Sequence, residues 1–99
     1  MNLRHLRDQI DLIDNDIAAL LAKRARLARK IGVLKNCCGL PVRDPDREIE
    51  ILERTSVASG NADTRMTIRR IFERVLDESR RIQTKVRPGD QDHVRGKTR

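Results

Sequence analysis

Between Leu6 and Leu34 the chain sets Leu6, Ile10, Ile13, Ile17, Leu20, Arg24, Leu27, Ile31 and Leu34 in alternating steps of four and three. Positions so spaced fall on one side of an α-helix and on no single face of a strand. The spacing predicts one amphipathic helix that begins near Leu3 and stops between Asn36 and Gly39, where Gly39 and Pro41 supply end signals. At 1.5 Å per residue that helix is about 50 Å long. The rest of a 99-residue chain is too short to cover such a stripe, and a core this small is marginal alone. Part of the stripe is therefore expected to pack on a second copy.

Downstream, Asp44 reads as an N-cap and Pro45 as the first residue of a second helix, which carries Ile49, Ile51 and Leu52 and fades over Ser56 to Asn61. Ser59, Gly60 and Asn61 form a turn cluster. Asp63 or Thr64 opens a third helix with Ile68, Ile71/Phe72, Val75, Leu76 and Ile82 on one side, ending near Lys85. Val86 to Arg99 mixes Pro, Gly and charge without periodicity and reads as a mobile basic tail. The expectation is an all-α chain of one long and two shorter helices, with a helical domain over 1–85 and a tail over 86–99. No internal repeat is visible.

The formal net charge of +7 points to nucleic acid, an anionic membrane or an anionic small ligand. Residues 84–99 hold five Lys/Arg against two Asp, which leaves the body only mildly basic. Tyr and Trp are absent, so no base-stacking platform exists and a nucleic-acid partner is disfavoured. The longest early apolar run, Ile17 to Ala22, is bounded by Asp16 and Lys23, so no signal or membrane span is read and a cytoplasmic location is expected. Cys37 and Cys38 are adjacent, without His or Cys at ligand spacing, and His5 and His93 are isolated. Neither a metal nor another cofactor is expected.

Polar residues stand where the packing pattern wants apolar ones. Arg24 occupies a seam position, and a guanidinium there needs a negative partner. By itself it is explained as well by a salt bridge, within the chain or across a dimer, or by a register-setting polar layer as by an anionic ligand. Lys35 lies eleven residues on, within roughly 20° of the same face and some 16 Å further along. Alone, it is more commonly a solvated helix-end cation favoured by the dipole. On the third helix Ser79 falls where Ile68, Phe72 and Val75 predict the next buried residue, and Gln83 follows one turn later. Taken singly, Ser79 reads as a serine tied to a backbone carbonyl and Gln83 as a surface residue. Asp44 and Asp46 suit a helix N-terminus, whereas Arg47 beside Glu48 is not explained by capping. Arg7 lies about 25 Å from Arg24 along the helix; if it serves a site, that site is the partner's.

Together these residues resemble the all-helical class of chorismate mutases, which convert chorismate to prephenate. The likeness covers residues 3–83. It rests on Leu6-Arg7-Asp8-Gln9-Ile10 with Ile13-Asp14, Leu20-Leu21-Ala22-Lys23-Arg24, Gly32 with Lys35, the run from Pro41 to Glu48, and Ser79 with Gln83. The resemblance implies an intertwined homodimer with two sites, each taking one arginine from the other copy. It implies that Arg24 and the partner's Arg7 hold two substrate carboxylates, with Lys35 and Gln83 at the ether oxygen of the breaking bond. Glu48 and the backbone at Asp44 would take the ring hydroxyl, with Arg47 and Ser79 completing the lining. The chain looks like a free-standing form, without a dehydratase or dehydrogenase domain. Cys37-Cys38 and the tail have no role in that pattern.

Such a unimolecular rearrangement needs no nucleophile or metal, and the sequence offers none. It needs cations that fold a flexible dianion and donors at an oxygen gaining charge. Four alternatives stay open: isochorismate pyruvate-lyase; a mutase of 4-amino-4-deoxychorismate, since Glu48 suits a hydroxyl or an ammonium; a basic helical nucleic-acid-binding dimer; and a coiled-coil interaction module, which explains the seam but not Lys35, Arg47, Ser79 and Gln83.

Overall fold

Each helix is bracketed by a residue chosen for its backbone or side-chain chemistry. In a computed structural model, which describes residues 2–58 and 60–86, α1 spans Leu3–Cys38. Asn2 caps it, its side-chain oxygen accepting from the His5 N–H at 2.8 Å. Gly39 ends it in the left-handed region at φ 67°, a conformation that costs a residue without Cβ nothing. The second helix, α2, spans Pro45–Val57. Asp44 Oδ1 accepts from the Arg47 N–H at 3.2 Å, and Pro45 sits where a missing N–H is harmless.

The third helix, α3, spans Ala62–Thr84. It opens ahead of Asp63, because Asn61 is its N-cap: Oδ1 accepts from the Thr64 N–H at 2.8 Å. Asn61 thus serves the helix rather than only the turn before it, and Asp63 lies in the first turn, where its charge suits the dipole. The described residues contain three helices and no strand. Of the expected tail, all but Val86 lies outside the described residues.

Packing centres on α3, which contacts both α1 and α2. The α1 surface that meets it is not the Leu/Ile seam. Ala28, Gly32 and Val33 are buried and Ala25 is half-buried, a strip of small residues beside the seam. Gly32 shows why the strip is small: a Cβ there would lie 2.8 Å from the Gln83 Cα and 2.7 Å from Val86 Cγ2, inside van der Waals contact. The seam itself stays uncovered within the chain, with Ile10 54%, Ile13 56% and Leu20 66% exposed. Ala28, Val33, Ile51 and Leu76 are the buried hydrophobic residues among those described, a small core for three helices.

Candidate active site

The end of α1 is built around Lys35. Its carbonyl accepts from the Leu40 N–H at 2.8 Å, closing the chain reversal that Gly39 permits. Its ammonium donates to the Val42 carbonyl at 2.8 Å, fixing the loop that delivers Asp44 and α2. The side chain is thereby held half-buried instead of trailing into solvent from the helix end.

Beside it lies a cavity of about 420 Å³ lined from all three helices. Arg24 and Lys35 enter from α1, Asp44, Arg47 and Glu48 from the start of α2, and Ser79, Arg80 and Gln83 from α3. Leu27, Ile31, Ile51 and Leu76 supply apolar wall. The volume suits a small molecule. Four cations face two carboxylates, so the cavity favours an anion.

Arg24 is the least compensated of these charges. Burial, and then the positive charge of Arg47, hold its guanidinium below its ordinary pKa, although a guanidinium remains charged. No carboxylate pairs with it among the described residues. Arg47 is partly committed: Nη1 donates to Glu50 Oε1 at 2.7 Å, an exposed pair of little worth to stability.

Ser79 is 9% exposed. Its hydroxyl accepts from Gln83 Nε2 at 3.3 Å, a side-chain bond one turn apart on α3 and not a tie to the backbone. Gln83 Oε1 is buried without a hydrogen-bond partner. A half-turn of that amide lets the Ser79 hydroxyl donate to Oε1 and puts the NH2 in the buried, unpartnered position instead. In either orientation one end of the amide is left for a ligand.

Seven of the eight residues singled out in the sequence therefore line one cavity: Arg24, Lys35, Asp44, Arg47, Glu48, Ser79 and Gln83. Arg7, exposed on the first turns of α1, is not brought to the cavity of its own chain. Arg80 was missed. It donates through Nη1 to Glu48 Oε1 and through Nη2 to Asp77 Oδ1, and Glu48 first, then Asp77, hold it above its ordinary pKa. The signal was present in the Leu76, Arg80, Gln83 spacing, a four-three step that puts Arg80 on the cavity side.

Residues 6–84 match the family model described as chorismate mutase type II. The chain belongs to that family. It is 35% identical over 83 residues to the chorismate mutase of Methanocaldococcus jannaschii, covering 82% of this chain and 83% of that one. A 48% identical stretch of 52 residues matches the bifunctional chorismate mutase/prephenate dehydratase of Aquifex aeolicus, but spans 52% of this chain and only 14% of that protein. Among solved structures, form II of chorismate mutase from Thermus thermophilus superposes with a TM-score of 0.78 at 31% identity, covering 84% of this chain and 94% of that one. Among the described residues, no helix of this family member is long and apolar enough to cross a membrane.

Proposed function

We propose that this chain is a chorismate mutase that rearranges chorismate to prephenate within a homodimer. The observation that carries the reading is the convergence of Arg24, Lys35 and Gln83, from two helices, on one cationic cavity in which Arg24 lacks a protein counter-ion. Chorismate carries two carboxylates and an enolpyruvyl ether. Arg24 takes one carboxylate in its planar fork, and the partner's Arg7 takes the other. Two fixed cations hold the side chain over the ring, removing the entropy cost of folding it there.

As the C–O bond breaks, negative charge grows on the ether oxygen. Lys35 and the NH2 of Gln83 donate to it, and they bind it more strongly in the transition state than in the substrate. Losing one such preorganised donor costs about 3–4 kcal/mol of barrier. Glu48 and the backbone at Asp44 receive the ring hydroxyl. Nothing in this chemistry consumes a proton or a co-substrate.

The uncovered seam supports dimerisation. Leu6, Ile10, Ile13, Ile17 and Leu20 are 40–66% exposed, and covering them on a second copy stabilises by about 1 kcal/mol each, roughly half of full burial. A groove bordered by Leu21, Ile71, Val75 and Ile82 on the other side of Ala28 offers further apolar surface to the same partner. The test is product analysis. Incubation with chorismate should yield prephenate, while isochorismate should yield no pyruvate; pyruvate release from isochorismate without prephenate formation overturns the reading.

A further inference from the structure

Glu48 does not stand alone at the cavity wall. Its Oε1 is taken by Arg80 Nη1, across from α3 to α2, while Arg80 Nη2 is anchored on Asp77 Oδ1 one turn back along α3. The pair is shielded: Arg80 and Glu48 side chains are 27% and 20% exposed, against 53% and 62% for Arg47 and Glu50. Both residues line the cavity. The carboxylate facing a ligand is therefore already balanced by a guanidinium, with Oε2 left to accept.

We infer that Arg80 determines which ring substituent the site accepts, selecting an uncharged hydroxyl over an ammonium at the position that Glu48 receives. The inference rests on the mutase reading and deepens it. A hydroxyl needs one acceptor lone pair, which Oε2 supplies whether or not the carboxylate is balanced. An ammonium needs an uncompensated negative charge. It meets instead a Glu48 already paired with Arg80, whose guanidinium is shared with the more exposed Asp77, and Arg24, Lys35 and Arg47 on the remaining walls. Asp44, the other carboxylate of the lining, already accepts from the Arg47 N–H as helix cap. Repulsion of the wrong substrate, more than attraction of the right one, does the discriminating. The two-point anchorage on Glu48 and Asp77 keeps the guanidinium from swinging away to make room.

The experiment compares chorismate with 4-amino-4-deoxychorismate, which carries an ammonium in place of the ring hydroxyl, on wild type and on Arg80→Leu, Arg80→Gln and Arg80→Lys. Wild type should strongly prefer chorismate. In Arg80→Leu and Arg80→Gln the ratio of kcat/KM values should shift toward the amino substrate by about tenfold, the factor expected of one partly shielded charge pair. The shift should lie mainly in KM for the amino substrate. Arg80→Lys should restore most of the preference, which a merely structural arginine would not do. Circular dichroism identifies any variant that has lost its helices, and the Gln variant keeps the test alive if the Leu variant has. An unchanged ratio in a folded, active Gln variant refutes the inference. So does an equal rise in KM for both substrates, which would make Arg80 a carboxylate clamp. A wild-type enzyme inert on chorismate refutes the mutase reading itself, whereas an active wild type with either of those outcomes refutes only the role of Arg80.

Discussion

Replacing Gly32 by alanine adds one methyl group at a close approach of α1 and α3, and the structure sets the size of the consequence. The new Cβ would lie 2.8 Å from the Gln83 Cα and 3.0 Å from the Gln83 carbonyl oxygen. Both are backbone atoms and cannot swing aside. Restoring a carbon–carbon separation of about 3.5 Å moves α3 outward by about 0.7 Å at Gln83. Two stability terms oppose one another. Alanine in a helix interior gains about 0.5–1 kcal/mol over glycine, whereas overpacking a close contact costs about 1–3 kcal/mol. The net is a loss of about 1 kcal/mol, or a fall in Tm of roughly 4–8 °C for a domain of this size. Catalysis suffers more, since a donor displaced by that distance from a preorganised site costs about 10- to 100-fold in rate. The assay is kcat on chorismate beside a thermal melt. A Gly32→Ala protein with wild-type kcat and a raised Tm would refute the claim that this contact positions Gln83.

Gln83→Glu puts a carboxyl where the ether oxygen gains charge. Only the protonated acid can donate, so activity should be confined to low pH and vanish as pH rises through that group's titration; a pH–rate profile showing full activity at pH 8 contradicts the placement of Gln83. Arg7→Ala and Lys35→Ala chains should each be nearly inactive alone, yet regain activity when unfolded and refolded together, because a mixed dimer holds one site with both groups intact. Failure of the mixture to exceed either parent would show that Arg7 does not act across the interface.

The features legible in the sequence were those governed by local rules. Asp44-Pro45 announces a helix start because capping acts within one turn, and the observed bond from the Arg47 N–H to Asp44 Oδ1 is that rule at work. The four-three spacing announced α1 because its residues are large and apolar. The strip Ala25, Ala28, Gly32 was not legible as the α3-facing surface, since small residues contribute little to hydropathy patterning and declare themselves only when another helix approaches. Asn61 reads as a turn residue in the sequence because Asn serves turns and caps equally well, and only the position of the Thr64 N–H decides between them. Arg80 does not stand out in the sequence because α3 is rich in exposed arginine, and its partner Glu48 is 32 residues distant. No local rule joins that pair; the packing of α2 on α3 does. Arg7 marks the opposite limit, since a residue that serves a second copy has no partner to reveal it within one chain.

Catalysis as proposed rests on Lys35 as a fixed cation at the oxygen where charge develops, and one comparison bears on it directly: the rate of chorismate loss for wild type and for Lys35→Ala at equal concentration, with helix content matched by circular dichroism. Wild type should form prephenate, and the variant should be slowed by about 100- to 1000-fold in kcat, the effect of removing one preorganised donor. A folded Lys35→Ala protein within about twofold of wild-type kcat would contradict that role.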